Sequence, residues 1–387
     1  MRYFLLIFST LCFFSCKKSD PGSSNTTPGE DGCVVPESVT NNGDTVAGQY
    51  IVIYTPEQVS NMNGRQPTAV AERVLQKYRI KTTSLVKSFE GSHGGFVARL
   101  APGEVAQLKS DAAVKMIEQD RVIALGDCFK VVAPWLVTWN IQQVGYGDGT
   151  GKVAWVIDTG IDTDHPDLTV DKTRSKSFLN GITSYTDSNG HGTHVAGIIG
   201  AKNNTFGVLG VAAGATLVSL RVLDKDGEGL LSGIVQALNY VNANAKAGDA
   251  VNMSIGEEGV SQILDDQVKA IAAKGIFFSI AAGNDGKKAS ESSPARVNGP
   301  NIYTVAAVDS TGNFADFSNY GGDIVDYAAP GVKILSTYTQ NRYATMSGTS
   351  MAAPHVTGLL LITNGKLTTS GKSLADPEGI TYNIPHN

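Results

Sequence analysis

The chain has 387 residues, 42% hydrophobic and 17% charged, with a formal net charge of −5. That balance excludes a wholly disordered chain, leaves ample length for a buried core, and lacks the broad basic footprint of a nucleic-acid binder. Only six histidines occur, at positions 93, 165, 191, 194, 355 and 386, so those that fall inside motifs carry weight.

Behind Arg2, the run from Tyr3 to Phe14 is almost wholly apolar. It is shorter than the ~20 residues that span a bilayer and fits the apolar core of a secretory signal. Ser15-Cys16 closes it and Lys17-Lys18 follow. A small residue before Cys resembles a bacterial lipoprotein signal, which makes 1–16 the leader, Cys16 the lipidated residue and the cell envelope the destination. An ordinary secretory signal, with extracellular release, is the alternative. Residues 17–47 read as a flexible linker, rich in Ser, Pro, Gly and Thr. With Cys12 lost in the leader and Cys16 taken by lipid, Cys33 and Cys128 remain in an oxidising compartment. They are expected to form a disulfide; two free thiols are the alternative.

Residues 48–125 form a first domain. Tyr50 to Tyr54 reads as a strand, Thr68 to Tyr78 as a helix with Val70, Val74, Leu75 and Tyr78 at helical spacing, and Val86–Phe89 and Gly95–Leu100 as strands parted by glycines. Pro102 to Ser110 is a helix with Pro in its first turn, and Val114 to Glu118 a last strand. That order is the βαββαβ ferredoxin-like motif. His93 lies in a glycine-flanked turn without a catalytic cluster.

Over residues 130–366 the rhythm changes. Strands at Val153–Asp158, Leu217–Val222, Ala250–Ile255, Ile276–Ala282 and Ile302–Val308 alternate with helices such as Leu231–Asn244 and Gln262–Lys274. Near-continuous apolar strands alternating with helices predict a doubly wound parallel α/β sheet covered on both faces, with ligands bound beyond the carboxyl ends of the strands. Residues 367–387 are read as a polar tail.

Three short motifs stand in this second domain. Asp158-Thr159-Gly160 ends a buried strand. Asn189-Gly190-His191-Gly192-Thr193-His194 opens an apolar helix, and Gly348-Thr349-Ser350-Met351-Ala352-Ala353-Pro354-His355 opens another. Alone, Asp158 is a turn cap and Ser350 a helix N-cap. His191 and His194, at i and i+3, could ligate a metal, but no third ligand follows at a recognisable spacing. Gly149-Thr150-Gly151-Lys152 is no phosphate loop, because Tyr146 stands where the first glycine belongs and Val153 where Ser or Thr belongs.

Taken in order, Asp, then His, then Ser, the motifs resemble those of the subtilisin-like serine proteases over roughly residues 135–362. The resemblance implies a serine endopeptidase with Asp158, His191 and Ser350 as its triad and Asn284, in Ala281-Ala282-Gly283-Asn284, in the oxyanion hole. Leu220, Gly227 and Gly229 fall in the segment that resembles the substrate-pairing strand, and Ser254, Ile255 and Gly256 in the wall of the primary pocket. The first domain resembles the family's inhibitory propeptide, so the chain reads as a zymogen whose partners are protein or peptide substrates, its own propeptide and, through the lipid, a membrane. Cleavage is expected between Ile123 and Cys128. No cofactor is implied for the chemistry, but family members often bind calcium, and Asp162, Asp164 and Asp167 form an acidic cluster, read as a solvated loop or a calcium site. Glu257, Glu258 and Asp285 near the pocket suggest tolerance for basic side chains, with surface acids that touch no substrate as the alternative. A catalytically silent binding homologue and a metallohydrolase using His191 and His194 are the competing classes.

Overall fold

The computed structural model describes residues 43–61, 66–124, 128–131 and 137–387. The leader, Cys16 and Cys33 lie outside them, and only the backbone of Cys128 is described.

The small unit contains β1 (Thr45–Tyr54), α1 (Pro67–Lys77), β2 (Leu85–Phe89), β3 (Gly95–Arg99), α2 (Pro102–Lys109) and β4 (Val114–Ala124). Its strands are antiparallel neighbours in the order β4-β1-β3-β2, the ferredoxin-like arrangement. β1 is apolar on both faces because both are covered. Val52 and Tyr54 pack with Val70, Val74 and Leu75 of α1, while Ile51 and Ile53 join the core of the larger unit. Side-chain alternation along a strand makes this division.

The large unit begins after β5 (Cys128–Val131) and follows the expected alternation. In chain order come β6 (Val153–Asp158), β7 (Lys176–Ser177), α3 (His191–Gly200), β8 (Thr216–Arg221), β9 (Glu228–Leu230), α4 (Leu231–Asn244), β10 (Ala250–Met253), α5 (Gln262–Ala272), β11 (Phe277–Ala281) and β12 (Ile302–Val308). Then follow β13 (Val325–Pro330), β14 (Ile334–Tyr338), β15 (Arg342–Ser347), α6 (Thr349–Thr363), β16 (Thr368–Lys372) and β17 (Asn383–His386). The main sheet runs β16-β17-β13-β12-β11-β10-β6-β8-β7, all parallel except for β16 on the edge. Along β6, Trp155 and Ile157 pack towards α4 and α5, and Ala154 and Val156 towards α3 and α6. Helices therefore cover both faces, as the apolar strands required.

Two features go beyond the sequence reading. The 367–387 segment is built into the sheet: β17 pairs with β13, Tyr382 OH bonds to Asp376 Oδ2 (2.5 Å) and accepts from Gly321 N–H (3.0 Å), and Asn387 Nδ2 donates to Tyr146 O (3.0 Å). β4 runs six residues past the expected end at Glu118 because its last turn of pairing is made with the other unit: Val122, Ile123 and Ala124 lie antiparallel to Leu230, Gly229 and Glu228. Beside this pair, Asp120 accepts from Ser232 N–H (3.1 Å), Ser232 Oγ (2.9 Å) and Gln49 Nε2 (2.9 Å), so a carboxylate of the small unit sits on the first turn of α4. His93 occupies the expected turn, buried at the interface, where its N–H donates to Asn239 Oδ1 (3.1 Å) and its carbonyl accepts from Asn239 Nδ2 (3.3 Å).

Candidate active site

Asp158 ends β6 at the carboxyl edge of the sheet and is fully buried. Its Oδ1 accepts from Thr159 N–H (2.7 Å) and from His191 Nδ1 (2.8 Å). Burial pushes the Asp158 carboxyl above the usual carboxylate range, and the neighbouring His191 works against that rise. His191 is the first residue of α3, 1% exposed. The approach is close because residue 192 is glycine: a Cβ there would stand 2.1 Å from Gly160 O and 2.9 Å from Asp158 Oδ1.

The start of α3 is held from below by Asp187, which the sequence reading passed over. Its Oδ1 accepts from Asn189 N–H, Gly190 N–H and Thr159 Oγ1 (2.9, 2.9 and 3.0 Å), and its Oδ2 from Thr193 N–H and Oγ1 (3.0 and 2.6 Å). Thr159 Oγ1 in turn accepts from Gly192 N–H (2.9 Å), tying the strand end to the helix start. An Asp three residues before a glycine that precedes a helix was the available signal.

Ser350 lies in the first turn of α6, 5% exposed. Its Oγ donates to Ser254 O (3.1 Å), and Ser254 Oγ donates to Ser350 O (2.7 Å). Asn252 Nδ2 supports Ser254 Oγ (2.8 Å) and takes Thr357 Oγ1 on its own Oδ1 (2.9 Å). Asn284 follows β11, with its Oδ1 fixed by Thr349 N–H (2.8 Å) and Thr349 Oγ1 (2.9 Å), which leaves Nδ2 as the donating end of the amide. The site can thus supply a carboxylate-oriented imidazole, a hydroxyl at a helix N-terminus and an amide donor.

Gly229 lies on β9, in the pairing with Ile123, and Gly227 in the turn before it. Ser254 and Ile255 are buried after β10, with Gly256 half-buried behind them. Leu220 is a correction: it is 0% exposed inside the core, so its side chain reaches no cleft, and the strand it stands on merely leads to Gly227. The side chains of Glu257 and Glu258 lie outside the described residues, and Asp285 is exposed.

The residues of the competing metal readings turn to separate protein partners. His194 Nε2 turns to the carbonyls of Ile334 (2.9 Å) and Ala344 (3.1 Å), whereas His191 turns to Asp158. Asp162 Oδ2 accepts from Gln340 N–H (2.8 Å), Asp164 pairs with Lys172 (2.6 Å), and Asp167 accepts from Asn204 Nδ2 (2.7 Å) and Val208 N–H (3.0 Å). Each of these carboxylates serves a protein donor. Among the described residues no three His, Cys, Asp or Glu side chains converge as a metal site.

The sequence profile of the subtilase family, Peptidase_S8, matches residues 149–370. A thermostable alkaline protease of Halalkalibacterium halodurans is 38% identical over 324 residues, covering 82% of this chain and 81% of that protein. Alkaline serine exoprotease A of Vibrio alginolyticus is 37% identical over 331 residues, covering 81% of this chain and 60% of its own. The crystal structure of a cold-adapted subtilisin-like serine proteinase superposes with a TM-score of 0.57 at 34% identity, over 65% of this chain and 98% of that one. The chain therefore belongs to the subtilase family and is a subtilisin-like serine-type endopeptidase.

Proposed function

We propose that the chain is an exported zymogen in which Asp158, His191 and Ser350 hydrolyse internal peptide bonds of proteins through an acyl-enzyme. The observation that carries this reading is the 2.8 Å bond from His191 Nδ1 to the buried Asp158. With Nδ1–H committed to the carboxylate, Nε2 is the basic nitrogen. It takes the Ser350 Oγ proton as Oγ attacks the scissile carbonyl, and the developing imidazolium is stabilised by Asp158. The tetrahedral oxyanion is received by the Ser350 N–H, at the positive end of α6, and by Asn284 Nδ2. Collapse of that intermediate breaks the C–N bond, and His191 hands the proton to the leaving amine. Water then repeats the sequence on the ester. Groups of this chain and water carry the reaction, with no cofactor. Ser254, Ile255 and Gly256 flank the residue before the scissile bond, and Gly227 and Gly229 the residues upstream of it.

The small unit is read as the inhibitor. Its β4 end lies on β9 as an extended peptide adds to a strand edge, so it occupies the backbone groups a substrate would use. Cleavage between Ile123 and Cys128 then separates the units. The leader supports export, and Cys16, as its lipidated residue, anchors the enzyme to the cell envelope; Cys16→Ala moves the enzyme to the soluble fraction if that is so.

Fluorophosphonate labelling with mass mapping tests the core of the proposal. Label is expected on Ser350 of the chain freed of its small unit and is lost in Ser350→Ala. A freed, folded chain that takes no label would sink the catalytic assignment.

A further inference from the structure

Beside the β4–β9 pair lies a groove of about 270 Å³, floored by Phe178, Val222 and Gly233 and walled by Ile182. Phe178 and Val222 are 8% and 0% exposed, yet Ile182 stands 41% open to solvent. All four belong to the large unit, so the groove survives departure of the small one. From the small unit only Val122 and Lys87 enter it. Lys87 crosses the groove to donate to Phe178 O (3.2 Å), and burial, then the charge of Lys176, holds its ammonium below the usual lysine range. Val122 is a different visitor. It sits opposite Leu230 in the strand pair, directly before Ile123, which is wholly buried. Consecutive strand residues point to opposite faces, so a peptide with one side chain in the place of Ile123 must present the preceding one to this groove.

We propose that the groove is a substrate subsite for a large apolar side chain, at the position that Val122 occupies and immediately upstream of the residue in Ile123's place. The inference rests on reading the end of β4 as substrate-like. Valine is short for the space, and the apolar floor rewards a longer or aromatic side chain by the area it removes from water. Asp224 and Glu228 also line the groove, so a carboxylate there is repelled.

The test uses peptides of the chain's own 119–130 sequence, with Ser for Cys128 and with Ala, Phe or Glu at position 122, offered to enzyme freed of its small unit and counted by fluorophosphonate. Phe is expected to exceed Ala by about 10-fold in kcat/KM, with Glu the poorest. Gly233→Leu fills the groove from its floor. A Cβ there meets nothing closer than 3.6 Å, so the backbone accepts it. That variant is expected to bring the Phe-to-Ala ratio to about one. Equal rates for Ala and Phe in the unaltered enzyme overturn the subsite and leave the substrate-strand reading standing. Failure of unlabelled enzyme to cut any of the three, when a parallel sample takes the label on Ser350, overturns both.

Discussion

Five donors converge on the Asp187 carboxylate, and all of them belong to the turn and helix that carry His191 or to the strand end that carries Asp158. Replacing it with Ala leaves N–H groups of the first turn of α3 unpaired and frees the imidazole to drift. We expect Asp187→Ala to lower kcat by at least ~10-fold with KM nearly unchanged, and Asn to restore part of the loss. A rise in KM alone would place Asp187 outside the alignment of the site. Two other histidines make a pH prediction. His355 Nδ1 bonds to Met351 O (2.8 Å) and its Nε2 meets Asn140 Nδ2 (2.8 Å), so the ring is neutral, with its proton on Nδ1. Burial lowers its pKa from 6.5 to about 4, and that of His194 to about 3. The unfolded chain therefore binds protons on these rings that the fold refuses. Stability is intact above pH ~6.5 and falls towards the folded values, by up to ~1.4 kcal/mol per pH unit for each ring. Melting of the Ser350→Ala chain between pH 7 and 4.5 should show a slope that His355→Gln makes shallower. An unchanged slope would mean that His355 is charged in the fold.

Elements that close their own hydrogen bonds were legible, and those completed by a distant partner were not. β6, β12 and α4 have the bounds their apolar patterns predict, because strands covered on both faces and a helix buried along most of its length declare themselves locally. β4 does not. Gln119-Asp120-Arg121 breaks the pattern, and what continues the strand is β9, more than a hundred residues downstream. The site divides in the same way. Asp158, His191, Asn284 and Ser350 sit in recognisable motifs, whereas Asp187 offered only its spacing from Gly190, Asn252 acts through contacts that spacing does not reveal, and Leu220 stands on β8, inside the core, rather than on β9. Asp120 belongs to the hidden class. In the Ser350→Ala chain, Asp120→Ala removes acceptors from Gln49 and from both groups of Ser232 and is expected to cost about 1–3 kcal/mol. The readouts are a lower denaturation midpoint and faster proteolysis between the units; an unchanged midpoint would rule the contact out as a stabiliser.

At the scale of the molecule, the main sheet is finished by its last strands. Tyr382 OH ties Asp376 to Gly321 N–H beneath the β16–β17 hairpin, so Tyr382→Phe should cost roughly 1–2 kcal/mol and lower Tm without changing kcat/KM. A fall in kcat/KM at an unchanged Tm would mean that the hairpin reaches the site. Should Cys33 and Cys128 be bridged, the cut small unit stays tethered and competes at high effective concentration; reducing agent is then expected to speed activation, and free thiols at both positions remove the idea. The loan of Asp120 to α4 has a kinetic meaning as well. Leu230, the residue before that helix, offers no side-chain acceptor, and the first turn holds no acid of its own. Helix initiation is the costly step, and here the group that eases it is attached to another domain. A large unit refolding alone must start its 14-residue helix without that carboxylate, and the small unit, added back, is expected to speed refolding; an unchanged refolding rate would remove the idea.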